Sequence, residues 1–567
     1  MAEEIQELRR IHWGECFGFT QIFRTFRLAI HPSKLVLGLA GILATLAVGV
    51  VMDAIWCKAG RMMLPGEVLA DLQQLNLERW REAHIAEGRK TLQGIMASGV
   101  IKKDDANIAL DTEDNYWDAV NELPGRIREH YDAAVKNLKG KDKLALRLAE
   151  LSRHQAALNQ VRSLKPRGLF FGLLDYERNV IRQAVESAIS LNFTSHMSDI
   201  LTGDRSAAVQ AMGAPSAAGP GLIPSIVLMG LGVKWLYLEH WFFAAVLTVL
   251  VLAIWSFFGG AICRIAALQA ARDEKISIRQ AAGFAGRKFI AFFAAPLIPV
   301  ALIVFIGIFL AIGGLVAAIP YVGEIVAGLL FFLVLLGGFV MALVLFGAVG
   351  GGNLMWPTIA VEGSDSFDAI SRSFSYVYAK PWRALFYFLV ASVYGAFCFV
   401  FVRFFLLMLL KLSRLFLGIG LAGTSRPAAG EDLSKLDVMW RSPSFEGMMP
   451  AWAALGTEGA DVVGGFLIFV WVALAALTVY AFLISFYLSG STVIYYLLRR
   501  EVDATDLEDV YVEEAEEEVA AEPLPASEAP PAPAPAPPPP PEAPAPPPPP
   551  PPPPPAPSGS DGGGSSN

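Results

Sequence analysis

Ionisable side chains stand beside the ends of several long apolar runs, and a charge drawn into hydrocarbon is costly enough to demand a partner or a polar path. Toward one side lie Asp53, Glu324 and Arg403, with Glu239 and Asp461 nearby. Snorkelling to the headgroups would suit all of them; the sharper expectation is an outer-leaflet network in which Arg403 pairs with Asp53 or Glu324. Toward the other side stand Lys34, Arg287, Lys288 and Arg383, with Trp382 beside the last. Cations and an indole at such elbows suit the inner headgroup layer, where each cation near an anionic surface contributes about 1 kcal/mol. Arg372 has a second option, pairing with Asp365 or Asp368 on its own short helix. No acidic or basic residue lies at the middle of any run, which weighs against an ion-coupled transporter.

Other chemistry is missing from the sequence. It has no G-x-x-x-x-G-K-S/T phosphate loop, H-E-x-x-H, G-x-S-x-G or paired-cysteine metal spacing. The seven histidines are spread singly, without an i, i+3 or i, i+4 pair to chelate a metal. Neither cofactor nor metal is expected. The glycine-rich run 347–353 lacks the strand and turn of a phosphate cradle and reads as a helix terminator. Pro296 and Pro299, and Ser485, Ser489, Ser491 and Thr492, could line a path, but such residues more often kink or pack helices.

The elements that must position these groups are membrane helices. Of 567 residues 54% are hydrophobic and 17% charged, with mean hydropathy +0.46, above the range of water-soluble domains. Apolar runs able to cross about 30 Å of hydrocarbon occupy 35–55, 241–262, 289–317, 325–349, 384–402 and 466–486. These predict an all-α, six-helix transmembrane bundle. The run 222–238 holds Lys234 and meets Glu239 and His240 at once. A crossing there would invert every later loop, so it reads as an interfacial segment on the outer side. Arg9, Arg10, Arg24, Arg27 and Lys34 precede the first span, Arg264 to Lys288 separate the second and third, and Arg499 and Arg500 follow the sixth. The positive-inside rule then places both termini in the cytoplasm and the protein in the inner membrane. The first span is no cleavable signal peptide, because Asp53, Trp56, Cys57 and Lys58 end it. Four scattered cysteines form no disulfide framework.

The 56–240 segment carries helical apolar spacing through Tyr116, Val120, Leu123, Ile127 and Tyr131, then Leu151, Leu158 and Val161, then Leu174, Ile181 and Val185. It predicts an extracytoplasmic helical bundle followed by a small-residue linker over 202–220. A second outer loop spans 403–465. After Arg500 the chain turns acidic and then proline-rich: 501–567 holds 14 acidic residues, no Lys or Arg, and 23 of the 38 prolines. The 45 basic residues thus all lie before 501, against 39 acidic ones, so a basic body of net +6 meets an acidic tail. The tail predicts a disordered cytoplasmic spacer or a ligand for an aromatic groove on a protein partner.

A repeat links the elbows. Phe19, Ile22, Phe23, Phe26 and Ile30 precede the first span, and Phe367, Ile370, Phe374 and Val377 precede the fifth, each on one face of an in-plane amphipathic helix. Arg24-Thr25-Phe26 with Pro32-Ser33-Lys34 matches Arg372-Ser373-Phe374 with Pro381-Trp382-Arg383; a looser copy, 277–289, precedes the third. Three units result, each an in-plane helix, a basic elbow and a transmembrane hairpin, the first carrying the outer domain as an insertion.

The stretch 259–267 followed by 271–277, and Trp356-Pro357-Thr358 with Glu362 to Ile370, resemble uncharacterised polytopic membrane proteins of planctomycete-type bacteria. More distantly, the arrangement is similar to the membrane domain attached to some glycerophosphodiester phosphodiesterases. The resemblance implies fold and compartment only, since the hydrolytic domain of the latter has no counterpart here. The expected function is a non-enzymatic envelope protein that organises partners through its outer domain and tail, with membrane lipids, including anionic headgroups, and a tail-binding protein as partners and no nucleic acid. A permease or lipid carrier built from three hairpins is the alternative; a membrane enzyme using surface carboxylates is a third class.

Overall fold

The computed structural model describes residues 18–58, 62–73, 75–101, 110–137, 143–190, 192–198, 221–421, 436, 440, 442–444 and 460–511. The proline-rich tail beyond 511, the linker 202–220, Arg9 and Arg10 lie outside them, as does most of 422–459. The described residues are all-α, with a single isolated bridge between Met63 and Arg167. In chain order, after a 3-10 turn at Gly18–Arg24, the helices are α1 (Thr25–Ala29), α2 (Pro32–Lys58), α3 (Glu67–Leu72), α4 (Leu77–Ala97), α5 (Glu113–Asn137), α6 (Lys143–Leu164), α7 (Leu169–Ile189) and α8 (Leu222–Glu239). They continue as α9 (Trp241–Arg272), α10 (Ile278–Arg287), α11 (Phe289–Ala317), α12 (Val322–Leu329), α13 (Phe331–Glu362), α14 (Ser366–Ala379), α15 (Pro381–Leu421) and α16 (Ala460–Asp503).

Seven helices are long and apolar enough to cross a bilayer: α2, α8, α9, α11, α13, α15 and α16. The chain is a multi-pass membrane protein. The helix in addition to the six expected is α8. It packs along amphipathic α7, where Gly232 lies so close that an added Cβ would meet the Tyr176 ring at 2.3 Å, and Tyr176 donates to the Leu228 carbonyl at 2.9 Å. At His240 it turns a corner into α9, with Trp56 at the end of α2 packed edge-on against Phe243 at the start of α9, centroids 5.2 Å apart. The chain therefore enters α9 at the same end of the bundle where it left α2. We call this the far end, and the end of Pro32 and Arg272 the near end.

Between α2 and α8, α4, α5 and α6 enclose an apolar core of Leu92, Tyr116, Val120, Leu123, Ile127, Tyr131, Leu158 and Val161. The helix α4 starts where the Asn76 side chain accepts from the Arg79 N–H at 3.1 Å, meeting one of the donors a helix start leaves unpaired. A second core joins α7 and α8 to the far ends of α2 and α9 through Met52, Leu169, Tyr176, Leu228, Trp235 and Phe243.

Three short helices precede α2, α11 and α15 at the near end. Ser277 and Gln280 form a reciprocal capping box at α10, and the Asp365 side chain caps α14 by accepting from the Asp368 N–H at 2.9 Å, so these two short helices have a fixed start. Several helices overrun their apolar runs. The fifth continues through the amphipathic residues Leu412, Leu415 and Phe416 as part of α15, and the sixth runs to Asp503. The glycine run 347–353 does not end a helix: α13 passes through it to Glu362. Those glycines admit α14 instead, since a Cβ on Gly347 would meet the Phe374 ring at 2.6 Å and one on Gly351 the Ser373 carbonyl oxygen at 3.1 Å.

Candidate functional site

The near end is where polar side chains gather. Every residue of α9 from Gly259 to Gln269 is buried, as are Leu354, Met355 and Pro357 to Val361 of α13 and residues 488–499 of α16. Helices buried on all faces have no lipid or water to satisfy a polar group, so each such group must find a protein partner.

The C-terminus of α13 shows how. A helix end leaves its last carbonyls without intrahelical partners and carries partial negative charge. Here Arg264, fully buried on α9, donates to the Ala360 carbonyl at 3.0 Å, the Tyr511 N–H donates to the Val361 carbonyl at 2.8 Å, and Lys288 donates to the Gly363 carbonyl. Arg264 also donates to the Tyr511 carbonyl at 2.9 Å, and its guanidinium lies over the Phe284 ring, 4.4 Å from the centroid.

Around this point runs a charged chain. Glu362 pairs with Arg372 at 2.9 Å and with Arg499 at 3.4 Å and accepts from the Tyr495 hydroxyl. Arg499 reaches the Asp509 carboxylate at 2.9 Å and the Asp509 carbonyl at 2.7 Å. Tyr376 donates to Asp503, and burial pushes its phenol above the ordinary range. Residues 504–511, which follow α16, are thereby strapped back across the near ends of α9 and α13. Ala504, at φ +53°, makes the reversal, and the strap residue Val510 is buried.

The expected boundary of the tail at 501 is accordingly moved to 512: Glu501 pairs with Arg383 at 2.5 Å and accepts from Tyr387, so acidic composition there reflects partners rather than an unstructured spacer. The elbow residues have separate fates. Lys34 is fully buried and donates to the Ser489 hydroxyl at 3.3 Å, which removes it from the headgroup layer: α2 begins beneath α1 and against α16. Lys288 is held by the end of α13 and Arg383 by Glu501. Arg287 is exposed, and Trp382 is 80% exposed. Arg372 takes both Asp368, at 3.0 Å, and Glu362.

The expected far-end network does not form. Asp53 accepts from the N–H groups of Phe170 and Phe171 at 2.8 and 3.1 Å, because the first turn of α7 leaves donors that a carboxylate satisfies well. Glu324 is exposed, and neither carboxylate pairs with Arg403. The histidines, solitary in sequence, include one pair in space: His130 Nδ1 and His154 Nε2 lie 3.1 Å apart, with Glu150 at 3.3 Å from His154. Among the described residues no group of three or more potential ligands forms a metal site.

The buried Arg264, Glu362, Arg499 and Tyr495 cluster was not singled out from sequence. Its one signal is Arg264 itself, a cation five residues inside the buried run that starts with Gly259, read there only as an orientation marker. No family model matches the chain, and no curated protein or solved structure matches it either.

Proposed function

We propose that this protein is a non-enzymatic scaffold of the cell envelope: a membrane bundle that holds a helical domain on the outer side and presents an acidic, proline-rich tail from a fixed point on the cytoplasmic side. The observation that carries this reading is the strap. Arg264, Arg499 and Tyr376 each bond a residue within 503–511, and Glu362 pairs with Arg499, so the buried polar groups of the near end serve to fasten the root of the tail rather than to face a substrate. In this reading six helices cross, α8 lies on the outer side, and both termini share the cytoplasmic side. The return of the chain to the far end before α9 supports the even count, and the Lys/Arg asymmetry supports the direction.

The test is affinity purification in mild detergent of the full chain and of a chain ending at Tyr511. The scaffold reading expects both to insert and fold, with the shorter one losing its cytoplasmic partners. An unchanged set of partners would remove the tail from the function. The carrier alternative would be favoured instead by solute or lipid movement in proteoliposomes that persists in the chain ending at Tyr511.

A further inference from the structure

A solvent-open cleft lies at the near end between the N-terminal segment, the end of α9 and the end of α16. Its polar wall is Gln21, Arg24 and Arg27 on one side and Gln269 and Asp273 on the other, with Tyr496 at its edge. Leu507 of the strap completes it, and Tyr496 is fixed by donating to the Ala267 carbonyl at 3.1 Å.

Two features mark this cleft as built for a ligand. Gln269 is 93% buried, yet its side-chain oxygen has no hydrogen-bond partner among the described residues. A buried acceptor left unmade costs about 1–3 kcal/mol, a cost that a donor entering the cleft would remove. The charges, moreover, are sorted: Arg24 and Arg27 lie on the N-terminal segment, and the acceptors are Gln269 in the last turn of α9 and Asp273, the residue that caps it. Arg27 and Asp273 do approach to 3.9 Å, but with side chains 77% and 62% exposed, and such a solvated pair gives way readily. Arg24 has no ion-pair partner among the described residues.

We propose that the cleft binds an aminoethyl phosphate, the zwitterion presented as a lipid headgroup by phosphatidylethanolamine or free as phosphoethanolamine. The guanidiniums of Arg24 and Arg27 take the phosphate, for which a pair of planar donor forks is suited. The ammonium, with three N–H donors and no acceptor, takes the Gln269 oxygen and the Asp273 carboxylate. A purely anionic headgroup would leave Asp273 facing like charge. A trimethylated amine would leave Gln269 without a donor. Phe23 and Ile30, exposed on the same N-terminal segment, supply an apolar flank at the membrane surface. This site is independent of what the tail recruits, so it stands or falls apart from the scaffold reading.

The test uses the purified full chain in mild detergent, with lipid retention read by native mass spectrometry. Dioleoyl phosphatidylethanolamine, phosphatidylcholine and phosphatidylglycerol are offered singly, and soluble phosphoethanolamine is added as competitor. The native chain is expected to retain phosphatidylethanolamine about tenfold over phosphatidylcholine, the loss of one charge-assisted hydrogen bond. Gln269→Leu should bring that ratio close to one, because the Gln269 oxygen is what tells the two amines apart, while Asp273→Asn should weaken both lipids. Asp273 sits at φ +54°, a conformation asparagine adopts well, so this variant keeps the fold. Arg24→Gln with Arg27→Gln should weaken both lipids about tenfold. Displacement by soluble phosphoethanolamine would support the site with the free compound as a source. Persistence of the lipid preference without displacement would support the site with the headgroup as its source. Equal retention of phosphatidylethanolamine and phosphatidylcholine by the native chain, stronger retention of phosphatidylglycerol, or an unchanged ratio in Gln269→Leu would each overturn the proposal.

Discussion

At the scale of single residues, Glu177 shows how an ordinary helical glutamate becomes a pH-sensitive group. It lies on α7 against Gly232 of α8, where an added Cβ would come 2.9 Å from its carboxylate, and neither oxygen has a hydrogen-bond partner among the described residues. Burial alone raises its pKa to about 7, against about 4.3 in an unfolded chain. Between those values the unfolded state releases a proton that the folded state keeps, so the packing of α7 on α8 should weaken as pH rises from about 4.3 through about 7 and level off above. With the intrinsic base catalysis of exchange divided out, protection factors across 169–189 and 222–239 should therefore be lower at pH 8 than at pH 5, and Glu177→Gln should abolish the difference and raise protection at pH 8. An unaltered pH dependence in that variant would place the sensitivity elsewhere. Nothing in the sequence marks Glu177, because its neighbour Gly232 belongs to a helix beyond an intervening linker. Asp53 teaches the same lesson: the sequence shows a carboxylate at the end of an apolar run, but only folding reveals that the helix it caps starts at Leu169.

Elements were legible where one helix decides its own fate. Apolar period and length suffice for α2, α9, α11, α13, α15 and α16, and the amphipathic faces of α1 and α14 can be read from Phe19 to Ile30 and from Phe367 to Val377. What could not be read is where each helix stops, since α9 and α16 carry on past hydrocarbon into a layer whose polar side chains are satisfied by other helices. The glycines of α13 are the clearest case. Alone, Gly347, Gly350 and Gly351 weaken a helix; against α14 they allow backbones to approach, a use that depends on residues 373–377. Replacing Gly351 with leucine should force α13 and α14 apart at a cost of about 1–3 kcal/mol, the usual range for overpacking. The readout is protease accessibility of 364–380 in the detergent-solubilised protein. Gly352→Leu, where a Cβ would meet nothing within 4 Å, serves as the matched control, and equal cleavage in the two variants would dismiss the close approach.

For the whole molecule, the question is what joins the far ends of the chain. Residues 18–30 and 485–511 belong to one packed end: Ser485 donates to the Ala29 carbonyl at 2.8 Å, Lys34 reaches Ser489, and Tyr511 closes α13. Composition separates a basic body from an acidic tail at Arg500, yet the physical division comes after Tyr511, because Glu501, Asp503 and Asp509 are partners of Arg383, Tyr376 and Arg499. Two truncations separate these boundaries. A chain ending at Tyr511 should match the full chain in thermal stability, since an acidic proline-rich segment buries little apolar surface. A chain ending at Arg500 loses the strap. Arg264, fully buried, then lacks the Tyr511 carbonyl, and Val361 lacks its donor. Each buried group left unmade costs about 1–3 kcal/mol, so the midpoint in detergent should fall by several degrees. To distinguish a loosened strap from general misfolding, Arg264→Lys in the full chain retains charge but loses the planar guanidinium that lies over the Phe284 ring and aims its Nη1 at both the Ala360 and Tyr511 carbonyls. It should shift the midpoint in the same direction by a smaller amount and expose 504–511 to protease. If the chain ending at Arg500 melted with the full chain, residues 501–511 would contribute nothing to the bundle, and the tail would begin where its composition says it does.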